Sequence, residues 1–176
     1  MRAHLRPTIV VTVFFFLLLG LAYPLAETGI GSAVFPHQAG ASLTVNGSTL
    51  IGQQYKAPMW FAGRPDPFDP TNTGGSNLAT TSKKLEQTVA KRIAAWHKLG
   101  VNPTEDLVTQ SGSGVDPDIS PAGAYAQVAM VANARHLPIV QVRALVAAHV
   151  TGPQFGFLGS SYVNVGELNQ ALSGLQ

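Results

Sequence analysis

The residues best suited to chemistry sit in one loop, Gln110-Ser-Gly-Ser-Gly114. Glycines free backbone amides to point at an anion, and a helix is expected shortly afterwards, so the stretch reads as a candidate phosphate cradle. It is not a P-loop, because Val115-Asp116 stands where Lys-Ser or Lys-Thr is required. Asp116 and Asp118 would repel phosphate unless a cation intervened. Ser113 lies between two glycines, but a nucleophile elbow needs glycine two positions away on each side, where this chain has Ser111 and Val115. The histidines at 4, 37, 97, 136 and 149 lack metal-ligand spacing, and there is no cysteine. Asp116-x-Asp118 lacks the remaining ligands of a calcium loop. No catalytic constellation and no metal site are expected. The loop keeps two readings, a small-anion site or a turn between strand and helix.

The elements that must position this loop follow from periodicity and caps. Residues 106–110 read as a short buried strand leading into it. Ser120 followed by Pro121 is an N-cap with proline at the first helical position. The helix it opens, 121–135, presents Tyr125, Val128, Ala129 and Ala132 inward. Pro138 starts another helix with Val142, Leu145, Val146 and His149 inward, ended by Gly152 and Pro153. Residues 155–159 form a turn and 162–165 a strand. Asn164 with Glu167 three residues on caps a last helix carrying Leu168 and Leu172.

Upstream, Leu85, Val89, Ile93, Trp96 and Leu99 recur at helical spacing over 82–99, and Gly100 is a left-handed stop. Lys83 and Lys84 fit the positive end of the helix dipole poorly, which leaves the first turn open. Residues 42–51 alternate around Asn46-Gly47 and predict a hairpin whose second arm continues to Tyr55. Between 56 and 77, Pro58, Pro65, Pro67 and Pro70 exclude a regular helix or central strand. Long ordered loops of this kind are usually functional. Trp60, Phe61 and Arg64 are its candidate partner-docking residues, since Trp and Arg are enriched at interface centres.

The whole is organised by the start of the chain. Between Arg6 and Glu27 lie 20 residues without charge. At about 1.5 Å per residue they span roughly 30 Å, the thickness of a bilayer's hydrocarbon core. The run exceeds the ~7–15 residues of a signal-peptide core, and Pro24-Leu25-Ala26 is a poor cleavage site. Arg2 and Arg6 precede the span and the next basic residue is Lys56, so the positive-inside rule puts the amino terminus inside. The expected organisation is a cytoplasmic end (1–6), a transmembrane helix (7–26), a linker (27–41) and one extracytoplasmic domain (42–176). The fold class is α+β, one N-terminal transmembrane helix followed by a single mixed α/β domain. Of 11 Lys and Arg, two precede the span, leaving 9 against 9 Asp and Glu, so the basic balance is no argument for nucleic acid. Charged residues are 11 % of the chain, well under the ~25 % of soluble domains, which points to surface covered by a partner.

Several short motifs in fixed order give the chain a family likeness. They are Phe61-Ala-Gly-Arg-Pro65, Gly74-Gly-Ser-Asn-Leu78, Asp106-Leu-Val-Thr-Gln-Ser-Gly-Ser-Gly-Val-Asp-Pro-Asp-Ile-Ser-Pro121, Val131-Ala-Asn-Ala-Arg135, Val142-Arg-Ala-Leu-Val146, and Val163-Asn-Val165 with Leu168-Asn169. With the single N-terminal span, they resemble the C subunit of the Kdp-type potassium-transporting P-type ATPase over nearly the full length. Three positions depart from the family's habit: Asp66 where Ser is usual, Asp118 in place of a common His, and His136 where Gly often ends the helix. The resemblance implies a non-catalytic, chaperone-like accessory subunit of a high-affinity, ATP-driven potassium uptake complex. Its partners would be a channel-like potassium-binding subunit and a P-type ATP-hydrolysing subunit, within the plasma (inner) membrane bilayer. It also implies ATP as the shared ligand, with Gln110, Ser111, Gly112 and Ser113 as the nucleotide contact. The orientation argument sets this loop outside, where it would act on the hydrolysing subunit by coupling. The alternative from a different class is an independent, membrane-anchored external protein that binds a small anion.

Overall fold

The computed structural model describes residues 2–40, 43–44 and 47–175. The chain divides into two compact units, Met1–Ser48 and Thr49–Gln176.

The first unit is a long helix with a short hairpin after it. Helix α1 (Arg2–Leu17) passes through a π-helical turn, Leu18–Ala22, into α2 (Tyr23–Val34). The stretch Leu5–Val34 is long and apolar enough to cross a membrane, with none of it buried against protein. The π turn sits where Pro24 requires it. A helical proline removes one amide and crowds the carbonyl four residues back, here on Gly20. Widening the preceding turn relieves that crowding, and the Tyr23 amide reaches back to the Leu18 carbonyl. The helix also runs past the expected linker start at residue 27. Gly29 and Gly31 each weaken a helix by about 1 kcal/mol relative to Ala, but extending an existing helix needs no new nucleus. After α3 (Pro36–Ala39), β1 (Leu43–Thr44) pairs with β2 (Gly47–Ser48) in an antiparallel hairpin. Asn46 of the expected turn lies outside the described residues.

The second arm does not reach Tyr55. Gly52 is instead drawn in so closely that an added Cβ would lie 2.5 Å from the Asp116 carbonyl oxygen. Its amide donates to the Val115 carbonyl at 2.8 Å. The second unit thus begins irregularly, and residues 49–82 run without helix or strand, as the four prolines require. Then follow α4 (Lys83–Lys98), α5 (Glu105–Val108), β3 (Asp118–Ile119), α6 (Pro121–Arg135), α7 (Ile139–Ala148), β4 (Val150–Thr151), β5 (Tyr162–Asn164) and α8 (Val165–Ser173). The strands form an antiparallel sheet in the order β3-β5-β4, with Ile119 and Val150 both opposite Val163. The core gathers Phe61, Leu107, Val131, Val142, Val146, Val163, Leu168 and Leu172.

The caps form as their residues demand. Ser120 Oγ accepts from the Gly123 amide at 2.9 Å, and Asn164 Oδ1 from the Glu167 amide at 3.1 Å. His136 ends α6 in the left-handed region (φ 57°), the conformation that glycine adopts most easily. One inward assignment changes, and one residue not assigned proves buried. Ala129 is exposed, and Gln127 is buried on the same helix. The strand expected at 106–110 is a helical turn over Glu105–Val108, closed by local backbone bonds from the Leu107 amide to the Thr104 carbonyl at 3.1 Å and from the Thr109 amide to the Glu105 carbonyl at 2.9 Å. The helix expected to run to Gly152 stops at Ala148, since Val150 and Thr151 pair with β5.

Candidate functional site

The Ser/Gly loop does cradle an anion, and that anion is the chain's own Asp66. Asp66 is buried, and its Oδ1 accepts from the Ser111 amide at 2.8 Å. Its Oδ2 accepts from Ser111 Oγ at 2.5 Å and from the Asp116 amide at 3.1 Å. Ser111 Oγ in turn accepts from the Gly114 amide at 2.8 Å. Backbone bonds close the loop from the other side: Phe68 N to Gly114 O at 3.0 Å and Gly74 N to Ser113 O at 2.7 Å. Gly114 has φ 72°, and an added Cβ would sit 2.6 Å from the Gly74 carbonyl, so glycine is required there. The donors that a phosphate would use at Ser111 and Asp116 are therefore engaged. Gly112 and Ser113 remain exposed and Gln110 half-buried.

Positive charge surrounds this carboxylate without closing on it. Arg64 Nε lies 3.0 Å from Asp116 Oδ2. Arg92 donates to the carbonyls of Val108 (2.9 Å) and Pro65 (3.3 Å). Burial lowers the Arg92 pKa, and the negative charge of Asp66 opposes that shift. A cavity of about 220 Å³ opens beside them, lined by Tyr55, Arg64, Asp66, Phe68, Arg92 and Trp96 among others. Among the described residues no cluster of His, Asp and Glu is placed to hold a metal ion.

A second carboxylate ties α5 to α6. Asp106 accepts from Thr104 Oγ1 and, at 2.6 Å, from the Ser120 amide. Burial alone would raise its pKa, but the bonds from Thr104 and Ser120 outweigh burial and hold it low. Gly123 is needed opposite, since a Cβ there would approach Asp106 Oδ2 and Thr104 Oγ1 to 2.9 Å.

Asp118 behaves in the opposite way. Burial first, then the charge of Asp116, push its carboxyl up to about 6, against a bond from Asn164 Nδ2 at 3.0 Å. A folded-state pKa above the unfolded value means that the folded protein binds the proton more tightly. This group therefore favours folding below about pH 4 and loses that contribution as pH rises through about 6. Asp118→Asn should stabilise the protein above pH 6, by roughly 1 kcal/mol once solvent screening at this half-exposed site is allowed for. It should also flatten the pH dependence between 4 and 7, as read from urea midpoints of the detergent-solubilised chain.

The three docking candidates separate. Phe61 is fully buried, which makes it a core residue and corrects its assignment as a contact side chain. Its amide donates to Asn169 Oδ1 at 3.0 Å, and its carbonyl accepts from Asn169 Nδ2 at 2.9 Å. Gln127 treats Ala62 in the same way, at 2.8 and 3.1 Å. Trp60 is half-buried beneath the Arg135 guanidinium, 4.5 Å from its ring centroid. Arg64 keeps about a quarter of its side chain exposed despite the pair with Asp116. Asp66, Gln127 and Asn169 were missed from the sequence. The one signal for them is polar residues set within otherwise apolar or proline-rich motifs.

A small α+β domain carried on one membrane-length apolar helix, with its Ser/Gly loop closed on an internal carboxylate, defines the class. The family described as "KdpC: K+-transporting ATPase, c chain" matches residues 5–174, and the chain belongs to that family. It is thus one subunit of such an ATPase and not by itself the hydrolytic enzyme. A protein named "Potassium-transporting ATPase KdpC subunit" from Allorhizobium ampelinum is 47 % identical, covering 98 % of this chain and 96 % of the relative. Proteins of the same name from Burkholderia mallei and Burkholderia pseudomallei are 46 % identical, covering 100 % of this chain and 98 % of each relative.

Proposed function

We propose that this chain is the non-catalytic accessory subunit of a high-affinity, ATP-driven potassium uptake complex. Its partners are a channel-like potassium-binding subunit and a P-type ATP-hydrolysing subunit. The observation that carries the reading is the family match from residue 5 to 174, spanning both the apolar helix and the α+β unit. The helix anchors it in the plasma (inner) membrane. The basic residues before the span, against none between it and Lys56, support a cytoplasmic amino terminus and an outer domain. That domain stabilises the assembly from outside, with the half-buried Trp60 and Arg64 as the docking residues of its proline-rich loop.

The subunit raises the ATP affinity of the hydrolysing subunit through coupling between sites, and Gln110 is its point of leverage. The closure of the loop on Asp66 supports this route, because the amide donors of the loop already hold a carboxylate. Gln110→Ala in the assembled complex should raise KM for ATP about five-fold or more with little change in kcat. The chain should take no label from a photoreactive ATP analogue. Strong labelling of this chain at 110–113 would replace coupling by direct contact. Orientation is tested with Gly112→Cys, which introduces the sole cysteine of the chain. A membrane-impermeant maleimide should reach it from outside, and labelling from the cytoplasm alone would overturn the topology. Wild-type growth at micromolar potassium after deletion of the chain would defeat the subunit role altogether.

A further inference from the structure

The connection between β4 and β5 carries the most exposed aromatic side chains of the second unit. Phe155 is 86 % exposed, Phe157 76 % and Leu158 49 %. The turn that carries them is built and closed. Gln154 and Leu158 exchange two backbone bonds of 2.9 Å, and the Gly156 amide donates to the Pro153 carbonyl at 3.1 Å. Phe155 is held at φ 52°, a conformation that bulky side chains rarely adopt, and Gly156 and Gly159 follow at 81° and 83°. Strained backbone is thus used to project two phenyl rings and a leucine away from the core.

The surroundings of this tip indicate what it meets. From Ala144 to Gly166 the chain carries no Lys, Arg, Asp or Glu, so this segment can meet apolar material without desolvating a charge of its own. The apolar helix ends at Val34 and the second unit begins at Thr49. The intervening residues, fully extended, reach roughly 50 Å at most, so the second unit is tethered within that length of whichever bilayer holds the helix. A protein interface usually adds a polar or charged rim to an aromatic anchor, whereas shallow lipid insertion asks only for apolar side chains on a backbone already satisfied.

We propose that Phe155, Phe157 and Leu158 dip into the headgroup–acyl boundary of that same bilayer, giving the second unit its own membrane contact. The tether supplies a high effective concentration, so a weak insertion is enough to orient the unit. The inference rests on the membrane-spanning reading of the helix.

Site-directed spin labelling of the full chain in phosphatidylcholine–phosphatidylglycerol vesicles tests it, without need of the partner subunits. A nitroxide at Phe157→Cys should be relaxed more strongly by oxygen than by a water-soluble nickel chelate, at a depth of about 5–10 Å. A nitroxide at Glu86→Cys, on the exposed side of α4, should show the reverse. Adding Phe155→Ser and Leu158→Ser, both at exposed positions, should raise nickel accessibility at 157 several-fold. Equal nickel accessibility at 157 and 86 overturns the proposal. So does a label at 157 that is wet in vesicles and becomes protected only when partner subunits are added, which assigns the tip to a protein surface. A label at Leu17→Cys serves as control, because water exposure there would instead refute the membrane-spanning helix.

Discussion

Asp66→Ala is expected to destabilise the second unit by about 3–5 kcal/mol, because it removes the acceptor of three hydrogen bonds in a buried site. The loss is more than the sum of contacts. Without the carboxylate the Ser111 and Asp116 amides are left unpaired, and the half-buried Arg92 guanidinium loses its nearby negative charge. Asp66→Asn keeps the shape but turns an NH2 group toward N–H and O–H donors, so it should cost about half as much. Urea unfolding of the detergent-solubilised chain, followed by Trp fluorescence, reads the difference. Trp96 is a suitable reporter, since its Nε1 donates to the Leu107 carbonyl at 3.0 Å, close to the loop. A loss below about 1 kcal/mol would mean that the backbone bonds through Gly52, Phe68 and Gly74 hold the loop unaided. Asp66→Ala should also reproduce part of the Gln110→Ala effect on KM for ATP, because both act on the same loop.

What the sequence reveals here is whatever is decided locally. The N-terminal helix, long and apolar enough to cross a membrane, is legible because 20 residues without charge follow one another there. Helices α4, α6, α7 and α8 are legible from 3.6-residue periodicity and from the Ser120 and Asn164 caps, which act within three residues of themselves. The α5 turn is not, since its two apolar residues, Leu107 and Val108, fit a short buried strand as readily as one turn of helix. Strand β4 consists of two residues and exists only because β5 lies alongside. The site was half legible. Its loop was found, but the anion it holds comes from 45 residues earlier in the chain. The place of Phe61 is hidden for a similar reason. An aromatic residue in a proline-rich loop looks like a docking anchor until Asn169, 108 residues away, draws its backbone into the core.

Asn169→Ala is the other substitution expected to act strongly, at about 3–4 kcal/mol, and the reasoning concerns backbone more than side chain. A buried amide and carbonyl that lose their partner bear the full desolvation cost, about 1–3 kcal/mol each. Phe61 would lose both at once, and the vacated volume beside Leu168 and Leu172 adds a cavity penalty. Asn169→Asp tests the same geometry more sharply. A carboxylate could still accept from the Phe61 amide but would face the Phe61 carbonyl with no donor, so the loss should equal or exceed that of alanine. Gln127 clamps the next residue, and the two amides hold adjacent peptide groups between α6 and α8. Their effects should not add. With Gln127→Ala as the second arm, a double-mutant cycle should give a coupling of about 1 kcal/mol or more, whereas independent clamps would give none. Strong coupling would explain how a proline-rich segment without helix or strand stays ordered: two side-chain amides take the place of the missing strand partner.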